Sequence, residues 1–255
     1  MLGIPIFYII ERRRVMLVKP WSEKPVTLVD PWVFLAREAR TIPIFSQIIS
    51  SQQISSPSSF PSVAEEVYGS LMILGTESKD PVKIVINSPG GDIQAGFTII
   101  QAMNHLKAKG IEVWTVNLCQ SMSMGGIILM MGTPRRRYAL ENTLTHTHFG
   151  LRGAGGAREH DIEEVHKYQS RLNQTIYEMI SDNSKIPELQ VKRMDLAGYD
   201  KNLLKNKKER VKLVKAFIDN ETLMAPEEAL EAGMIDKVLL PGDPIIDAIY
   251  QKGIR

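Results

Sequence analysis

Two short segments of this chain carry residues that could do acyl-transfer chemistry. In Asn87-Ser88-Pro89-Gly90-Gly91, two glycines after an apolar run let the backbone turn sharply and bring N–H groups close to a ligand. In Gln120-Ser121-Met122-Ser123-Met124-Gly125, a strand-like run turns into an apolar helix. A serine at that turn sits beside the unpaired amides and positive dipole end of a helix start. An acyl-transfer nucleophile needs that setting: a reachable hydroxyl with oxyanion donors close by. Each segment alone says little, because a serine at a helix start is most often only an N-cap. A base is also needed, and the histidines stand at 105, 146, 148, 160 and 166. His146 and His148 share a face of a strand-like segment by period two. They make an incomplete metal site without a placed third ligand. His160 and His166 lie on a long amphipathic segment, and HDIEEVH lacks the HExxH spacing.

The elements that must hold these residues can be read from periodicity. Residues 1–45 mix short apolar runs with prolines at 5, 20, 25, 31 and 43, which predicts strands and turns in an N-terminal extension. Residues 46–62 are rich in serine and proline and read as a loop. Helical spacing then covers Val63–Gly75, and the β-branched run Val82–Asn87 reads as a buried strand. A helix over Ile93–Lys107, a strand over Val113–Leu118 and a buried helix over Ser123–Met131 follow. Alternation of this kind argues for parallel strands joined by crossovers. Arg137–Thr147 reads as strand, Ala157–Ser184 as a long helix, Pro226–Gly233 as a short helix and Ile235–Leu240 as a last strand. The lysine-rich stretch 185–215 is helical in pattern, with a solvated face expected, and 241–255 reads as a C-terminal tail with one short helix.

Composition narrows the classes. The chain has 255 residues, 44% hydrophobic and 24% charged, with a net charge of +2, which excludes global disorder and collagen-like architecture. A single cysteine, Cys119, excludes an internal disulfide and any multi-cysteine metal site; a small buried apolar role is expected for it. No apolar run approaches the roughly 18–20 residues of a membrane span, and the basic cluster Arg12–Arg14 follows the apolar N-terminus, the reverse of a secretory signal. A cytoplasmic protein is expected, without nucleic acid or membrane partners.

INSPGG, then the QxxSMG serine turn, then a histidine closing LENTLTHTH, then a long helix, then APEEALEAGMID resembles, in that order, the proteolytic subunit of the Clp protease, the ClpP family. The resemblance covers roughly residues 63–240. It implies an α/β, crotonase-like (ClpP-like) fold of repeated ββα units with a long handle helix. The peptidase domain is then 63–240, with 185–215 inserted. It implies a serine endopeptidase that degrades unfolded polypeptides or peptides inside a self-compartmentalised ring. No cofactor and no metal are implied. Partners are further copies of the chain, in heptameric rings stacked as a tetradecamer, and an AAA+ unfoldase. Ser123 matches the family's nucleophile and His148 its base, while the amides of Gly91 and Met124 match its oxyanion hole.

The third triad member is where the sequence departs from the family. The family's aspartate falls on Glu221 when aligned through Glu228-Ala229 to Asp236, and on Asn220 when aligned on Ala225-Pro226. Asp219, two residues before Glu221, would share its face on a strand. Glu221 is the preferred residue, since glutamate serves this role in other serine hydrolases; Asp219 and Asn220 are the alternatives. Two other functions stay open: a weak or inactive structural paralogue in a mixed ring, and another crotonase-fold acyl-transfer chemistry.

Overall fold

A computed structural model describes residues 31–51, 62–148, 159–194, 199–219 and 223–251. The chain begins there with α1 (Pro31–Ala39) and β1 (Thr41–Ile44), followed by the short strands β2 (Ile48–Ile49) and β3 (Ser62–Val63). Next come α2 (Ala64–Glu77), β4 (Val82–Ser88), α3 (Ile93–Ala108), β5 (Val113–Met122) and α4 (Met124–Met130). β6 (Arg137–Leu140), β7 (Leu144–His146), α5 (Glu159–Asn183), α6 (Ile186–Arg193), a 3-10 turn at Lys201–Lys205 and α7 (Lys207–Ile218) lead to β8 (Leu223–Met224), α8 (Pro226–Glu231), β9 (Lys237–Leu239) and α9 (Pro244–Tyr250).

The result is a mixed α/β fold on a parallel sheet. Five strands run in the order β1-β4-β5-β6-β9, and β7 pairs with the far end of β5. All these pairings are parallel; β8, added antiparallel to β7, is the exception among the described residues. The centre of the sheet is apolar on both faces because helices cover both. On β4, Ile84 and Ile86 point into the larger core with α2, α3 and α4, while Val85 points the other way, to Trp114, Val116, Tyr138 and α9. β5 outruns its neighbours and carries its last residues, Gln120–Met122, to pair with β7 alone on that side.

The sheet takes in Thr41–Ile44, from the stretch expected to be an N-terminal extension, and Pro31–Ala39 is helix where strands and turns were expected. Pro31 occupies the first helical position, where its missing N–H costs nothing. Pro43 lies on the edge strand, where the ladder tolerates it. The serine-rich loop contributes β2 and β3, which pair with each other. Arg137–Thr147, expected as one strand, is two, because Asn142 turns the chain with φ 60°. The stretch 185–215 is helical as expected, but α6 and α7 bury Ile186, Val214, Phe217 and Ile218 in the main core rather than riding on the surface. The C-terminal helix is tied down as well. The Lys83 ammonium, with its pKa pushed down to about 8 by burial and by Arg40, donates to the carbonyls of Ala39 and Gln251, and the Thr41 hydroxyl donates to Ile249 O.

One buried ion pair locks β6 to the turn before β9. Arg137 reaches Asp236 through Nε (2.8 Å) and Nη2 (2.6 Å), and its Nη1 donates to Asn183 O at 2.7 Å. Burial pushes the Asp236 carboxyl up, but the Arg137 guanidinium and the backbone amides of Arg137 and Arg135 outweigh it and hold the carboxyl below the usual range. Asp236→Asn is expected to cost about 2–3 kcal/mol in urea unfolding, since it leaves a buried guanidinium without its counter-charge. A carboxyl with a lower pKa folded than unfolded stabilises the protein above about pH 4, and that contribution disappears as the pH falls through the folded value. The difference between wild type and Asp236→Asn should therefore narrow in acid.

Candidate active site

The Ser123 turn is strained. β5 ends at Met122 and α4 begins at Met124, leaving Ser123 alone to reverse the backbone at φ 52°, ψ −121°. Such a conformation costs a non-glycine residue about 1–3 kcal/mol and persists only where its surroundings hold it. Three hydrogen bonds hold it. The Ser123 amide donates to His146 O at 2.8 Å, and the Ser123 carbonyl accepts from the amides of Gly126 (3.0 Å) and Ile127 (3.3 Å). The hydroxyl caps nothing in α4, so it is not an ordinary N-cap, and Ser123 is partly exposed. The side chain of Met124 fills the space over Gly96 on α3, where a β-carbon would come within 2.2 Å of it. That burial fixes the first turn of α4 and the Met124 amide at its start.

The glycine loop lies against this turn. A β-carbon on Gly90 would stand 2.5 Å from Met122 O, 2.6 Å from Ser123 Cβ and 3.0 Å from Met124 N. Only glycine allows that approach, and its φ of +93° demands glycine as well. Gly91 pairs with Ile48 in parallel: Ile48 N donates to Gly90 O and Asp92 N donates to Ile48 O, both at 2.8 Å. This pairing uses the neighbours of Gly91 and leaves its own N–H facing away from Ile48. Ser88 anchors the loop, its hydroxyl donating to Ser46 O at 2.5 Å and accepting from Gly90 N at 3.1 Å. The sequence reading missed Ser88 and Ile48. A serine two residues before a glycine is a local turn signal, but a contact between residues 48 and 91 leaves no local trace.

The histidine segment flanks the serine on its other side. Met122 is in register with His146 on β7, and Ser123 hydrogen-bonds to that residue's carbonyl. His146 and His148, both half-buried, project together with ring centroids 5.3 Å apart and planes 30° apart. Thr145 and Thr147 are buried, and Thr147 would meet a β-carbon on Gly126 at 3.2 Å. Ser123, Gly90 and the Met124 amide thus lie together beside the His146 carbonyl. His105 and His166 lie exposed on helices.

Two expectations fall differently. Cys119, expected to be buried, is exposed, since β5 has outrun its cover there. Asp219 is not on a strand: it is the exposed C-cap of α7, its amide donating to Lys215 O at 2.9 Å. Asn220 and Glu221 lie outside the described residues. β8 begins at Leu223, antiparallel to β7 and across from His146.

Gly90→Ala should destabilise the fold by a few kcal/mol, because the new methyl strikes main-chain atoms that cannot move without dismantling the turn. Thermal unfolding checks it.

Among the described residues no helix is long and apolar enough to cross a membrane. Compared with known proteins, residues 36–241 match the sequence pattern of a family described as Clp protease. A protein of Deinococcus radiodurans named ATP-dependent Clp protease proteolytic subunit is 27% identical over 218 residues, which is 84% of this chain and 94% of that protein.

Proposed function

The chain belongs to the Clp protease family, and from that membership we propose that it is a serine endopeptidase acting on unfolded polypeptides or peptides. The observation that carries the reading is Ser123, held at φ 52° by the histidine strand on one side and crowded by Gly90 on the other. In this reading the Ser123 hydroxyl attacks the scissile carbonyl and His148 takes its proton. The tetrahedral oxyanion lies between the amides of Gly91 and Met124, and His148 returns the proton to the leaving amine. Water then repeats the sequence on the acyl-enzyme and regenerates the serine. Glu221 orients His148. What supports that choice is the path of the chain, which after the exposed Asp219 leads into β8 beside the histidine strand.

Hydrolysis of a fluorogenic apolar peptide by the purified chain tests the reading. Turnover that disappears on treatment with a fluorophosphonate is expected. A folded chain with neither turnover nor labelling would be a structural subunit instead.

The family's rings and ATPase partners come with the same proposal. The chain assembles into heptameric rings, with α5 as the handle between two rings, and receives substrate from an AAA+ unfoldase. The C-terminal half of α5 buries Ile176 and Ile180 in the domain's own core, whereas Val165 and Leu172 nearer its start are only half-buried, as a helix reaching out to a partner requires. Sedimentation velocity should give a particle of about fourteen chains. A monomer would contradict the assembly.

A further inference from the structure

We propose that Asn117 is a positioning residue of the active site: its side-chain amide pins the register of β7 on β5 and so places His148 against Ser123. The catalytic part of this proposal rests on the peptidase reading above. Asn117 is the last residue of β5 in register with β6, opposite Ala139. Three residues further on, β5 takes β7 as its neighbour over Gln120–Met122. At that change of partner the Asn117 Nδ2 donates to Leu144 O at 2.9 Å and to Thr145 Oγ1 at 3.2 Å. Only the nitrogen can face Leu144 O, which fixes the orientation of the amide. One side chain thereby ties the first two residues of β7 to the point where β5 leaves β6.

β7 needs such a pin. Its buried side chains are Thr145 and Thr147, and its open face carries Leu144, His146 and His148, so hydrophobic patterning does not set its register. A slip of one residue turns every side chain of a strand to the other face. Here it would carry the two threonines outward, turn the two histidines inward and break the bond from the Ser123 amide to His146 O. Asn117 is also an uncommon choice for its place. It is 0% exposed, and its Oδ1 has no donor among the described residues. Burying that oxygen costs about 1–3 kcal/mol. A valine, as β5 has at 113 and 116, would avoid the cost. What the amide contributes is the two bonds to β7.

Asn117→Leu and Asn117→Val, two shapes that both remove the donor, test this in the full chain beside Thr41→Val. Thr41 is equally buried and its hydroxyl also donates to a main-chain oxygen, Ile249 O, but it lies on the edge strand β1. The first readout needs no activity. Hydrogen exchange at the Ser123 amide should quicken by at least about tenfold in the Asn117 variants and stay at the wild-type rate in Thr41→Val. The second is peptide hydrolysis per active site, with sites counted by fluorophosphonate titration run to completion. There kcat should fall by about 10- to 100-fold in the Asn117 variants with KM within about twofold, because a misplacement of about 1 Å costs that much; Thr41→Val should match wild type. A purely structural role would lower the melting temperature and the fraction of sites titrated, but not turnover per site. Unchanged kcat per site in a folded Asn117 variant, or an equal fall in Thr41→Val, overturns the positioning role. Unchanged exchange at Ser123 overturns the register pin. If neither Asn117 variant folds, Asn117 serves the fold as a whole and the proposal fails. If the folded wild type neither hydrolyses peptide nor takes the label, the peptidase reading fails with the catalytic part, and exchange at Ser123 alone decides the register pin.

Discussion

Ser123→Ala is expected to lower peptide hydrolysis by about 10⁴- to 10⁶-fold, the range seen when the nucleophile of a serine–histidine site is removed. The substitution should leave the fold intact, and the structure gives the reason. Alanine keeps the β-carbon that meets Gly90, and the backbone bonds that hold the turn, from the Ser123 amide to His146 O and from the Gly126 amide to Ser123 O, do not involve the hydroxyl. The hydroxyl caps no helix amide, so removing it exposes no orphaned donor in α4. The remaining activity would come from the Gly91 and Met124 amides acting on an attacking water. A melting temperature within a degree or two of wild type, with hydrolysis lost, separates a chemical role from a structural one. Retained hydrolysis would remove Ser123 from the mechanism.

Glu221→Gln is expected to lower kcat by about 10²- to 10⁴-fold, whereas Asp219→Asn should change it less than about threefold. An amide in the third position can hold an imidazole but favours the wrong tautomer and does not stabilise the imidazolium that forms during attack. Asp219 is the exposed end of α7, and the account gives it no such part. Its negative charge faces the negative end of the helix dipole, so Asp219→Asn should add a few tenths of a kcal/mol of stability if it changes anything. Steady-state kinetics of the two variants side by side decide the assignment. A large loss in Asp219→Asn with little change in Glu221→Gln would reverse it.

The parts of the fold that were legible in the sequence are those where one residue type dominates a whole element. Ile84–Ile86 is a continuous β-branched run because both faces of β4 are covered, and Ile127–Met131 is apolar all round because α4 is buried. The first helix was missed because Pro31 and Pro43 read as breakers, when one begins a helix and the other sits on a sheet edge. The exposure of Cys119 has no trace in its residue type, since cysteine is most often buried, and that part of β5 lies beyond the reach of β6. At the site, the residue types of Ser123, Gly90 and Gly91 were readable in their short motifs. Their mutual contact was not, since it is built by Ile48 and Ser46, some forty residues upstream of the glycines they seat. Asp219 shows the same limit from the other side: proximity in sequence to Glu221 suggests a strand position, and Asp219 is instead the C-cap of α7.

The central claim is that one hydroxyl, raised on a strained turn, is the reactive atom of this protein. The most direct test is to label the wild-type chain with a fluorophosphonate and locate the adduct by peptide mass spectrometry. The account predicts a single adduct on Ser123, formed in the folded protein and absent after denaturation. An adduct on another residue, or none on a folded and fully assembled particle, would contradict it.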